Sequence, residues 1–205
     1  MKIKLFLLST AMLYLNGCAT MTQSECLNAN WRIIGIEDGA DGQLSSYLGE
    51  HRKACAPYNV IPDLNAYLDG HRAGVQQYCT PQNAYNVGER GKKYQGVCPP
   101  ELEGAFLEAY SHGYGYYSLN RELDSVESSI RYKADKIDEL HKEIAEFEKQ
   151  LISDQTYEAQ RKQLLENIKE CQRQIAYLEK EIYDLGAEEI ILKERIEAHN
   201  RHYRY

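Results

Sequence analysis

Cysteines and clustered carboxylates are the residues of this chain whose types and spacing bear on chemistry. Of its 6 Cys, Cys26, Cys55, Cys79 and Cys98 lie in a Gly- and Tyr-rich stretch without any C-x₂-C knuckle. That spacing weighs against zinc and, in an exported chain, for two disulfides. Asp38 and Asp41 are three apart and share one helix face. With His51 and Asp63 they form an alternative polar site for acid/base or metal work. The commoner use of such carboxylates is helix capping or solvated surface. Asp69 and His71, two apart, diverge on a helix. Ser45 and Ser46 have no G-x-S-x-G setting, and His199-x-x-His202 reads as a solvated helix end before a metal site. No G-x-G-x-x-G or GK[ST] turn occurs, which weighs against a nucleotide. No catalytic residues, cofactor or metal are read here, and the chain is taken as a non-enzyme.

These residues need elements to hold them. Pro62-Asp63 is a helix start, with Leu64, Tyr67 and Leu68 on one side and Tyr78-Cys79 at the far end. A continuous helix there puts Cys79 about 25 Å from its beginning. Cys55 precedes that start, which argues against joining Cys55 to Cys79. Of the remaining connectivities, Cys26–Cys55 with Cys79–Cys98 is the expected one. Three stretches share a pattern: Ala66-Tyr67-Leu68-Asp69-Gly70, Ala84-Tyr85-Asn86-Val87-Gly88 and Ala109-Tyr110-Ser111-His112-Gly113. Gly70 with Gly74, and Gly35 with Gly39 and Gly42, have spacings that place them on one helix face. Each costs about 1 kcal/mol of helix propensity, so close packing must compensate. The 17 Tyr against 3 Phe are read chiefly as partners in that packing. A sugar- or peptide-binding groove is the rival use.

Composition changes near Leu119, after which the chain has no Pro and a single Gly. Leu119, Leu123, Val126, Ile130, Ile137, Leu140, Ile144, Phe147 and Leu151 step by fours and threes, with Lys133 at the polar seam position. That is a heptad seam. A second seam uses Leu164, Ile168, Cys171, Ile175, Leu178, Ile182, Leu185, Leu192 and Ile196, out of register with the first. Ser153, Asp154 and Thr156 cap well and continue a helix poorly. Two antiparallel helices of about 50 Å and about 70 Å, turning near 153–156, are therefore expected. One unbroken helix dimerising with a second copy is the alternative. Cys171 on the seam reads as a small buried hydrophobe, with an interchain disulfide as the sharper option. The fold class is all-α: a disulfide-stapled helical domain followed by a coiled-coil arm. Lys+Arg 24 against Asp+Glu 31, a net charge of −7, argues against nucleic acid as a partner. The arm points to a protein partner.

The N-terminus has Lys2 and Lys4, then an apolar run from Leu5 to Leu15 too short to span a bilayer. Leu15-Asn16-Gly17-Cys18 follows and resembles the lipobox of bacterial lipoproteins, with Asn16 unusual in it. The resemblance implies removal of residues 1–17 and acylation of Cys18, palmitate included. It also implies that Ala19 after the Cys directs the protein to the outer membrane, facing the periplasm. The divisions expected are then a signal peptide over 1–17, the stapled domain over 18–118 and the coiled coil over 119–205. Further along, Asn30-Trp31, Gly35, Asp38-Gly39, Gly42, His51, Cys55, Pro62-Asp63, Tyr67, Gly70, Gly74, Tyr78-Cys79, Gly88, Gly91 and Gly96-Val97-Cys98-Pro99 resemble the domain-of-unknown-function family 2799. That resemblance spans about 20–118 and implies a small proteobacterial envelope lipoprotein, without a substrate or activity. The functional expectation is a non-catalytic envelope lipoprotein, anchored in the outer membrane, acting through its coiled coil. The alternative is a periplasmic binding or hydrolytic module for cell-wall sugar or peptide.

Overall fold

The computed structural model describes residues 21–202, so the lipobox and Cys18 lie outside the described residues. Among those residues the secondary structure is helical throughout: α1 (Gln23–Leu27), α2 (Trp31–Ala40), α3 (Leu48–Cys55), α4 (Leu64–Tyr78), α5 (Pro81–Glu89), α6 (Pro100–Leu151) and α7 (Glu158–His202). Short polar residues set the starts. The Thr22 hydroxyl and Glu25 form a reciprocal capping box on α1, and Asn30, Asp63 and Thr80 accept from Ile33 N, Ala66 N and Asn83 N. Each satisfies a backbone donor that the first helical turn leaves unpaired. The described residues divide into two compact units, 21–79 with 95–100, and 80–94 with 101–202.

In the first unit Trp31, Leu48 and Tyr67 pack around the Cys26–Cys55 disulfide, with Met21 against it. A second disulfide, Cys79–Cys98, ties segment 95–100 to the end of α4. The two bridges close 29 and 19 residues. Chain entropy makes each worth about 3 kcal/mol, a large share of the stability of so small a core.

Glycines join α2 to α4. A β-carbon on Gly39 would meet the His71 carbonyl oxygen and the Val75 nitrogen, and one on Gly74 would meet the Ile36 carbonyl oxygen and the Ala40 nitrogen. The two backbones touch where side chains would otherwise stand. Gly42 lies past the end of α2 rather than on its face, with φ 76° under the Tyr78 ring.

The second unit contains the same device. A β-carbon on Gly88 of α5 would meet the Tyr110 carbonyl oxygen and the Tyr114 nitrogen, and one on Gly113 of α6 would meet the Tyr85 carbonyl oxygen and the Glu89 nitrogen. Three residues after Gly88, Gly91 has φ 65° and lies under the Tyr117 ring, as Gly42 does under Tyr78. His71 Nε2 reaches the Gln43 carbonyl at 2.7 Å. At matching offsets, the Tyr110 hydroxyl donates to the Lys92 carbonyl at 3.0 Å. The chain thus builds one helix-pair design twice, in the phase Gly39/Gly74 and Gly88/Gly113. This corrects the alignment of Gly70, Gly88 and Gly113 drawn from the tripled Ala-Tyr pattern.

In the same unit α6 and α7 form an antiparallel hairpin, with the seam at Leu140, Cys171 and Ile175 and Ile137, Ile144, Phe147 and Leu178 packed against it. Lys133, the polar seam residue, pairs with Glu181 at 2.8 Å. The turn stands where the heptad register slips. There Thr156 Oγ1 donates to the Gln150 carbonyl at 2.6 Å and Arg161 Nη2 to the Ser153 carbonyl at 3.2 Å. Its 52 residues make α6 about 78 Å long, more than the expected 50 Å, because it begins at Pro100 and runs unbroken through Leu119. Cys171 is a buried free thiol facing Glu143. Burial, then the Glu143 carboxylate, push that thiol above its ordinary range, which keeps it a poor nucleophile.

Candidate functional site

The polar centre of the first unit is Asp38, in the last turn of α2. Its Oδ2 accepts from the Tyr67 hydroxyl at 2.6 Å and from His51 Nε2 at 2.8 Å. Three helices supply the three groups: α2 the carboxylate, α3 the imidazole and α4 the phenol. Tyr67 is fully buried and His51 nearly so. The Tyr47 ring stands edge-on to His51 at 5.2 Å between centroids, and Trp31 lies 6.5 Å away. Burial first, then the hydrogen bond and charge of Asp38, push the Tyr67 phenol well above its ordinary value. Tyr67 is therefore a fixed donor and Asp38 a fixed acceptor.

Beside this centre opens a cavity of about 640 Å³, whose lining includes Glu25, Glu37, Asp38, Asp41, Tyr47 and His51. Of the sequence-derived polar site, Asp38, Asp41 and His51 are brought together here. Asp63 is not in the lining: its side chain caps α4 through Ala66 N, the ordinary work of an Asp before a helix. Tyr67, Tyr47 and Glu25 were missed as partners, whereas Glu37, a candidate acid/base residue by type, does line the cavity. The available signal was Asp38 itself, a carboxylate adjoining the Gly35/Gly39 stripe that buries against α4. Among the described residues no three His, Cys, Asp or Glu side chains are grouped to hold a metal, and no helix there is long and apolar enough to cross a membrane.

The phenol makes a testable contribution. With its folded pKa raised, Tyr67 stabilises the fold fully below about pH 10, where an unfolded tyrosine ionises. That contribution is lost as pH rises above this value. Tyr67→Phe should thus be less stable than wild type at pH 7 by about 1–3 kcal/mol, since a charge-assisted hydrogen bond is removed. The gap should shrink by up to about 1.4 kcal/mol per pH unit above pH 10. Urea melts at neutral pH and above pH 10 measure it. A gap independent of pH would contradict the shift.

Comparison with curated proteins and with solved structures returns no match. The family model described as "Protein of unknown function (DUF2799)" matches residues 30–115. The matched span begins at the Asn30 cap of α2 and ends two residues past Gly113, so it contains both glycine pairs and the Asp38–His51–Tyr67 centre. Over residues 30–115 this chain is therefore similar to the DUF2799 family of proteins of unknown function.

Proposed function

We propose that this protein is a non-catalytic lipoprotein of the bacterial envelope, anchored in the outer membrane through Cys18, that works by contact with a protein partner through the α6–α7 hairpin. The observation that carries this reading is the hairpin's outer surface. Its seam is filled from within, yet Tyr132, Tyr177, Tyr183 and Ile190 remain largely exposed, Tyr183 at 79%. Tyrosine is among the residue types that anchor protein contacts most often. Its test is site-specific photocrosslinking in intact envelopes, with the reactive group at Tyr183 or, as comparison, at Ile61 of the first unit, 83% exposed. Discrete protein adducts from position 183 and none from 61 are expected. Adducts from 61 alone would contradict the reading.

A second reading rests on the cavity at Asp38. It makes the first unit a periplasmic binding module for a cell-wall sugar or peptide, with a hydrolytic role for Asp38 and His51 as its stronger form. The cavity's aromatic and carboxylate lining is the chemistry such a ligand meets.

A further inference from the structure

The two glycine pairs are an internal control. Where the first pair has Asp38, one residue before Gly39, the second has Val87, one residue before Gly88. Where the first has Tyr67, seven residues before Gly74, the second has Phe106, seven before Gly113. Val87 is buried and Phe106 is fully so. The design therefore closes on apolar side chains, and the carboxylate with its two donors is no requirement of it. Burying such groups is unfavourable unless they are paired, so the first pair retains a polar centre that packing does not ask for.

That centre borders a cavity rich in carboxylates. Glu37, Asp38 and Asp41 occupy the last turn and C-cap of α2, the electronegative end of the helix dipole, and that turn contains no basic residue. Among the described residues no Lys or Arg lines the cavity, and its one imidazole, His51, is turned to Asp38. The Thr22 backbone N–H and hydroxyl hold the Glu25 carboxyl below its ordinary range, so a fourth charge is present. Both hydrogen bonds to Asp38 fall on Oδ2, and among the described residues Oδ1 receives none.

Resting on the binding reading above, we infer that this cavity takes a small organic cation, an ammonium or guanidinium group on a short aliphatic stem. The N–H donors meet Asp38 Oδ1. Glu37 and Asp41 supply the attracting field. The Tyr47 ring in the lining supplies an aromatic partner for the charge, and Ile34 and Met21 receive the stem. A peptide bearing a free side-chain amine presents the same chemistry.

The chain's single Trp, Trp31, packs beside His51 and reports on the site. Full-length protein in detergent is titrated with agmatine, 1,5-pentanediol and N-acetylglucosamine while Trp31 fluorescence is followed. Agmatine should give a saturable change that weakens with added salt, and the diol none. Glu37→Gln, at an exposed position that leaves the fold alone, should weaken agmatine binding several-fold. Asp38→Asn, checked by its thermal melt, should weaken it by roughly tenfold or more. No saturation by any probe up to about 10 mM overturns both the inference and the binding reading. Saturation by the sugar or the diol without agmatine overturns only the cation. Equal agmatine affinity in both variants also overturns the inference.

Discussion

Gly74→Ala should destabilise the first unit by about 3 kcal/mol or more, although glycine-to-alanine in a helix ordinarily stabilises by up to about 1 kcal/mol. The sign reverses because the added methyl points at the Ile36 carbonyl and the Ala40 amide of α2. Those are backbone atoms that cannot swing aside, so α2 and α4 must separate and lose contact along the shared face. Gly104 of α6 and Gly186 of α7 supply the contrast, since a β-carbon at either has nothing within 4 Å. Alanine there should raise stability by the propensity gain. The expected spread of about 4 kcal/mol among three chemically identical substitutions is read by urea melts followed at Trp31 and by circular dichroism. Gly113→Ala should behave like Gly74→Ala, because its methyl would meet the Tyr85 carbonyl and the Glu89 amide. Similar behaviour of all four variants would refute the backbone contacts.

The sequence shows this architecture unevenly, for physical reasons. Heptad steps expose the α6–α7 seam because a coiled coil repeats one contact many times. The slip after Leu151 locates the turn because register is conserved until a helix ends. Placing one helix between Cys55 and Cys79 removes one of three disulfide connectivities, and of the two left the structure has the expected one, Cys26–Cys55 with Cys79–Cys98. Glycine spacing predicts close packing, but not which helix each glycine meets. That depends on the offset between two helices, and no single-helix period contains it. For the same reason the Ala-Tyr motif suggested a repeat in the wrong phase. Asp38, Asp41 and His51 were recognisable as candidates by type. Tyr67 was not, since its role rests on a contact between α2 and α4 that local sequence does not encode. The polar centre becomes conspicuous only when Val87 and Phe106 are seen at the matching positions of the second pair.

The other large effect concerns location. A chain with net charge −7 gains nothing from anionic headgroups, and no described helix is long and apolar enough to cross a membrane. Attachment at Cys18 would therefore rest on acyl chains alone. One chain binds a membrane only marginally, whereas two or three hold it firmly through about 0.8 kcal/mol per buried methylene. Cys18→Ala removes all of them at once. It should move the protein almost wholly out of the outer-membrane fraction, or leave an unprocessed precursor that begins at Met1. Wild type should resist extraction by high salt and by alkali, because neither disrupts buried acyl chains.

Intact mass of the protein recovered from separated envelope fractions tests the central proposal most directly. The account predicts a mature chain beginning at Cys18, heavier than its polypeptide by a diacylglycerol and an N-acyl group, in the outer-membrane fraction. An unmodified chain in the soluble fraction, or a membrane-bound Cys18→Ala protein cleaved at the same place, would contradict it.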